Sequence, residues 1–293
     1  MSYRCDVTPL YNLIANILDF SRYAMIGFAF LLMAFEAVFF NAILASNQLI
    51  TKVSTVGSVV FLLMMNLLPE QTTFTPFLLS SVFILMFLHT VFSLYQTRDA
   101  ELYLLNAGIY LSLATMCYFP AILLVVWGVI ALSIIHKGSF RLHLLPFIGF
   151  LFPYFVYFVI HFLMGDLTTV WQAYGNWFTD FRLMASQFSW PLVGLYGFLL
   201  LTVLMPVFMP RNYSFEKAVA PRLKVAMSII LVFFGIFMLF IGPIASSSGV
   251  FMLSLSILFS LELAYIDGLR WSSVSFIICI LSVIALHYIL LYI

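Results

Sequence analysis

Charge is scarce in this chain: 12 Lys+Arg and 11 Asp+Glu among 293 residues, against 65% hydrophobic residues. A water-soluble domain needs far more polar surface, so a mean hydropathy of +1.15 excludes ordinary globular folding in water. The net charge of +1 leaves no electrostatic footprint for nucleic acid, and that partner class is excluded. Cysteine is nearly missing too. Cys5, Cys117 and Cys279 are isolated, without CxxC spacing or His neighbours at metal-ligand intervals, so they read as buried or incidental thiols and no metal site is expected. No nucleotide loop, metal-ligand cluster or nucleophile motif occurs, and no cofactor is expected. The polar start MSYRCDVTP is not a cleavable signal peptide, and no apolar segment precedes Cys5 to make it a lipoprotein anchor.

What the chain does have is long apolar runs separated by short polar gaps. An unpaired backbone amide in hydrocarbon costs several kcal/mol, so spans are helices or a closed barrel, and runs apolar on every face exclude alternating barrel strands. Crossing about 30 Å at 1.5 Å per residue takes roughly 20 residues. Ten segments qualify or nearly do: 22–46, 52–69, 76–95, 100–117, 120–136, 143–164, 189–209, 222–243, 246–267 and 271–292. The stretch 102–135 lacks a charged turn and would measure about 51 Å as one helix, so it is a hairpin that returns to the side it left, as two short spans or a re-entrant loop. The expected fold is all-α: a polytopic transmembrane bundle of about ten spans over 22–293, preceded by an N-terminal interfacial segment at 1–21.

Lys and Arg are retained on the cytoplasmic side of membranes. Lys52, Arg98, Lys137, Arg141, Arg211, Lys217, Arg222, Lys224 and Arg270 fall on one side, and Arg4, Arg22 and Arg182 on the other. This bias places both termini outside and makes 210–224 the main cytoplasmic basic loop. Thr75-Pro76 reads as a cap followed by proline at the first helical position, and Pro221 opens the eighth span in the same way. Asp99 and Glu101 suit the positive end of the fourth helix. Between the sixth and seventh spans, 167–188 is amphipathic at helical spacing: Val170, Trp171, Tyr174, Trp177, Phe178, Phe181 and Met184 are separated by polar residues. Its Trp and Tyr belong at the outer interface, as an anchor or as a lid or partner-docking surface over the outer mouth of the bundle.

A charge deep in a bilayer costs at least about 2.5 to 3.5 kcal/mol, so each one retained is a candidate functional group. Glu36 lies about 15 Å from the inner end of its helix and requires a protonated carboxyl or a hydrogen-bonded partner. His89 and Asn106 lie about 9 Å deep, within reach of a proton relay with Glu36, or serve as plain helix-to-helix hydrogen bonds. Asn66, Glu70, His161, Asp166 and His287 gather toward the outer face, where Glu70 or Asp166 would supply the carboxylate of an enzyme acting on a lipid-linked substrate. Glu262 and Asp267, with Arg270 nearby, read as snorkelling or surface-paired. Pro146, Gly149 and Pro153 weaken the sixth span, whose kink would open a pocket for a lipid tail.

The segments LLPE, LLSSVFILMFLHTVFSLY, LNAGIYLSLATMCYFPAILLV and PFIGFLFPYFVYFVIHFLMGDL, within 67–167, resemble a family of polytopic inner-membrane proteins of Bacteroidota. The resemblance implies a cytoplasmic-membrane helical body and brings no activity with it. Basic residues often stand in that family at the positions of His89 and Thr90, and an Asp at that of Asn106, so this chain has neutralised those groups. Residues 78–135 more faintly resemble the apolar hairpins of polytopic glycosyltransferases that use polyprenyl-phosphate sugars, which present an acid in a sizeable first outer loop. Here that loop is short and offers Glu70.

The leading expectation is a non-enzymatic inner-membrane subunit or accessory factor of an envelope-assembly or secretion complex. Its partners would be membrane lipids and other inner-membrane or periplasmic proteins. The alternatives are a transferase acting on lipid-linked glycan through Glu70, and a proton-coupled transporter through Glu36. Against the last, no two halves of the chain read as inverted repeats.

Overall fold

The computed structural model describes residues 8–17, 22–50, 55–66, 74–96, 100–135, 140–165, 168, 170–172, 174, 197, 200, 219–239, 244–265, 277, 280 and 281. Every regular element among them is helical: α1 (Pro9–Ile17), α2 (Arg22–Ser46), α3 (Val56–Met65), α4 (Pro76–Ser93), α5 (Ala100–Cys117), α6 (Leu124–Ile135), α7 (Phe140–Met164), α8 (Val219–Leu239) and α9 (Ile244–Tyr265). Among the described residues five stretches are long and apolar enough to cross a membrane: Met25–Ser46, Pro76–Ser93, Ala100–Cys117, Arg141–Met164 and Arg222–Leu239. The expected segments 189–209 and 271–292 lie outside the described helices.

The helices share two ends. Glu101 and Arg141 form an ion pair of 3.4 Å, so α5 and α7 start at the same end of the bundle. The hairpin at 102–135 therefore returns to the side it left, as its length required. Its turn contains Pro120, which has no N–H to continue the hydrogen-bond ladder of α5 and sits in the first turn of a new helix, where none is needed. Tyr118 is extended at φ −143, and a 3-10 turn, Phe119–Leu123, precedes α6. Together that turn and the 12 residues of α6 reach about 28 Å, close to the thickness of a bilayer's hydrocarbon core. At the opposite end Thr75 caps α4, its side chain accepting from Leu78 N at 3.2 Å, with Pro76 next. There α1 is tied down by Tyr11, whose hydroxyl donates to Phe74 O at 3.1 Å.

Several boundaries differ from expectation. α3 has only 10 residues, against an expected 52–69. α8 starts at Val219, almost a turn earlier than expected, with Pro221 inside the first turn where its missing N–H is harmless. α7 runs unbroken through Pro146 and Pro153, so the expected break does not interrupt the helix.

In lipid the association of helices depends on close packing and polar ties rather than on hydrophobic burial. α5 and α7 run parallel and touch backbone to backbone. A Cβ on Gly108 would collide with the Pro146 carbonyl, and one on Gly149 with the Leu105 carbonyl. α8 and α9 cross in the same manner, with Gly235 facing the Phe251 backbone at 2.7 Å from where a Cβ would sit. α9 is the centre of the bundle, buried without interruption over 248–262. Its serines cause no polar penalty there, because Ser254, Ser256 and Ser260 donate back to carbonyls of their own helix at 2.6 to 2.7 Å.

Candidate functional site

Three groups of described polar side chains inside the bundle join one helix to another. The first is at mid-depth, where Glu36 is wholly buried and its Oε1 accepts from Ser81 Oγ on α4 at 2.6 Å. The same hydroxyl lies 2.7 Å from the Leu78 carbonyl. Glu36 Oε2 has no hydrogen-bond partner. A buried acceptor left unsatisfied costs about 1 to 3 kcal/mol, and Glu262 Oε2 on α9 is in the same position.

The second place is the Arg141 end. α2 terminates at Ser46, and the turn after it donates to the carbonyls of Ile43, Leu44 and Ala45 from the N–H groups of Asn47, Leu49 and Gln48. Lys224 of α8 meets that turn, only 1% exposed, and its Nζ donates to Asn47 O at 2.8 Å and Asn47 Oδ1 at 3.4 Å. A cation at a helix C-terminus also meets the negative end of the helix dipole. Asn47 Nδ2 donates to Ile43 O at 3.0 Å and to His89 Nδ1 at 3.3 Å, while Ser93 Oγ donates to Asn47 Oδ1 at 3.4 Å. Among the described residues no carboxylate lies within ion-pair distance of Lys224. Three helices, α2, α4 and α8, are thus joined through one asparagine.

The third place is the Thr75 end of α5 and α7. Tyr154 donates to Thr115 Oγ1 at 2.9 Å. The described part of the amphipathic segment sits over it, with Val170 buried and the Tyr174 ring 5.6 Å from Phe119, 6.4 Å from Phe158 and 6.5 Å from Tyr154. Burial pushes the Tyr174 phenol well above its ordinary value, with the neighbouring Tyr154 adding to the rise, so it stays protonated. Trp171, one residue beyond Val170, is 70% exposed. Of the expected apolar positions, Val170 is buried, Tyr174 is half-buried and Trp171 is open, and Met184 lies outside the described residues. His161 stacks edge-on against Tyr157 at 4.5 Å, and its Nδ1 is buried with no hydrogen-bond partner.

This geometry revises several expectations. Glu36 and His89 do not meet: Glu36 bonds Ser81, about 12 Å along α4 from His89. His89 serves Asn47 instead, and Asn106, half-buried on α5, hydrogen-bonds neither among the described residues. Lys224 is not part of an exposed basic loop but the most deeply buried cation described. Glu262, expected to snorkel to the surface, is 1% exposed because α9 is enclosed on every side. Asn66 ties α3 to α2, its Nδ2 donating to Leu62 O at 2.7 Å and Met33 Sδ at 3.5 Å. Glu70, Asp166, Trp177, Phe178, Phe181 and His287 lie outside the described residues.

Reasoning from sequence missed Asn47, Ser81 and Tyr154. One signal was available for Asn47: it follows a helix end, where orphan carbonyls need donors.

The chemistry of these places is adhesive. Each joins helices through the hydrogen bonds and ring contacts given above, with Glu36 Oε2 and His161 Nδ1 left over. Glu36→Gln keeps the acceptor for Ser81 and adds an amide in place of the lone oxygen. We expect its stability to stay within about 1 kcal/mol of the parent by denaturant titration in detergent micelles. Glu36→Lys, which buries a longer cation at the same depth, is expected to prevent accumulation of the folded chain. The chain matches no protein-family model, no curated protein and no solved structure.

Proposed function

We propose that the chain is a multi-pass protein of the bacterial cytoplasmic membrane, working without catalysis as a subunit or accessory factor of a cell-envelope assembly or secretion complex. The observation that carries this reading is the contrast between the inside and the outside of the bundle. Glu36, Lys224, Asn47 and Tyr154 are committed to neighbouring helices. The whole outer side of α7 is apolar and open: Phe152, Phe155, Phe162 and Leu163 are all at least 60% exposed. Side chains of that kind, on a helix long enough to cross a bilayer, suit lipid and the apolar flank of another membrane helix. Trp171 presents an aromatic face at the interface, where residues of its type anchor proteins or meet partners.

Ten crossings remain the topology that fits best. α7 finishes at the Thr75 end and α8 begins at the Arg141 end, so an odd number of crossings must separate them, which the apolar run 189–209 supplies. The run 271–292 then returns the chain after α9. Removing the buried Lys224 from the count of loop charges leaves eight basic residues against three, still favouring a cytoplasmic Arg141 end and outer termini.

The reading is tested by affinity purification of the full chain in mild detergent after brief crosslinking of intact cells. A reproducible membrane or envelope partner is expected, and Trp171→Ala is expected to reduce its yield several-fold while leaving the chain's own level unchanged. Recovery of the chain alone, with or without crosslinking, rejects the reading.

A further inference from the structure

Between α4, α5, α6 and α7 lies a groove lined by apolar residues throughout, among them Phe87, Val129, Leu132, Pro146, Phe147 and Phe150. It exists because small residues thin its walls. Gly128 of α6 stops short of Phe87, whose ring tip would stand 3.1 Å from an added Cβ, and Gly108 lets α7 close against α5. An apolar cavity offers water no partner and stays dry. Within helices of bilayer-spanning length, the available filler is hydrocarbon.

The depth of the groove matches one leaflet. On α5 it extends from Leu104 to Leu111, about 6 to 16 Å from the start of the helix at Ala100. Half of a hydrocarbon core of about 30 Å occupies the same depth. Entry is from the lipid side, where Phe147 is exposed and Val129 is partly so.

Charge lies at the matching headgroup level. Arg141 is 80% exposed, and its single described ion pair, to Glu101 at 3.4 Å, leaves most of the guanidinium fork free to donate. His143 stands close by, its Nε2 3.2 Å from Ser133 Oγ. In sequence Arg98 precedes α5 by two residues and Lys137 follows α6 by two.

We propose that this groove binds one acyl chain of an anionic phospholipid of the leaflet on the Arg141 side, with the lipid phosphate held by Arg141. The inference rests on the membrane reading above, which sedimentation of the chain with carbonate-washed membranes checks by itself. The site is tested on the full chain purified in mild detergent and washed extensively, with retained lipid extracted and quantified by mass spectrometry. One phospholipid per chain is expected to survive, enriched in anionic headgroups over the host membrane. Val129→Phe and Val125→Phe, each filling the groove from α6, are expected to lose that lipid with unchanged helical content. Arg141→Gln is expected to retain a phospholipid but to lose about fivefold of the anionic enrichment, one basic side chain's share at a membrane surface. Equal lipid retention by the parent and both filled variants, or no anionic enrichment in the parent, overturns the proposal even where the chain sediments with membranes.

Discussion

Replacing Gly149 with alanine is expected to destabilise the folded chain by about 3 kcal/mol or more, among the largest effects of a single methyl group anywhere in the described bundle. The added carbon would collide with the Leu105 carbonyl, which is backbone and has no rotamer to yield. α5 and α7 would have to separate along their parallel contact. That separation disrupts what lies on either side: the Tyr154 to Thr115 hydrogen bond toward the Thr75 end and the Glu101 to Arg141 pair at the other. In lipid no hydrophobic gain compensates, because the exposed flanks of the two helices are as well solvated by acyl chains as by each other. Gly149→Leu is expected to yield no folded protein. A control is available in the same chain: a Cβ on Gly27 meets nothing within 4 Å, so Gly27→Ala gains helix propensity of up to about 1 kcal/mol without a clash. The measurement is unfolding by a denaturing detergent titrated into mixed micelles. Parallel curves for Gly149→Ala and the parent would refute the claim that this crossing organises the bundle.

Periodicity and run length made the helical class and most helix cores legible, since an apolar run bounded by polar residues has one meaning in lipid. α2 and α5 begin and end where the pattern changes, and the Thr75-Pro76 start of α4 follows from capping chemistry alone. What the pattern could not supply is which residues face which helix. Glu36 and the half-buried His89 lie about 6 Å apart in depth by simple counting, yet along the contact of α2 with α4 they sit about 12 Å apart and each has a nearer partner, Ser81 and Asn47. Lys224 shows how a small boundary error changes a conclusion. By beginning at Val219, α8 carries this lysine about 4.5 Å further into the helix than a start at Arg222 would, out of the loop and under the end of α2. Glu262 was misjudged for a related reason: snorkelling requires a path to water, and enclosure of α9 by its neighbours is invisible in its own sequence.

The asparagine at the end of α2 is where the second large effect is expected. Asn47→Leu removes the acceptor shared by Lys224 and Ser93, together with the donor to His89 and Ile43, while the buried lysine stays in place. The Lys224 bond to the Asn47 backbone carbonyl at 2.8 Å survives, but the buried ammonium loses its second acceptor while Ser93 and His89 lose this partner, about 1 kcal/mol for each and about 3 kcal/mol together. Lys224→Met should cost less. The methionine fills most of the volume, the charge disappears with its desolvation cost, and the residual loss is the unpaired Asn47 carbonyl, about 1 to 2 kcal/mol. The two effects should not add. With the lysine gone, Asn47→Leu no longer takes an acceptor from a buried cation, so the double variant should be more stable than the sum of the single effects by about 1 kcal/mol. A double-mutant cycle measured by the same detergent titration decides the matter. Strict additivity would show that Lys224 and Asn47 act independently. Coupling of the expected sign would identify a buried cation held by amide and carbonyl oxygens as the tie between the C-terminus of α2 and the start of α8.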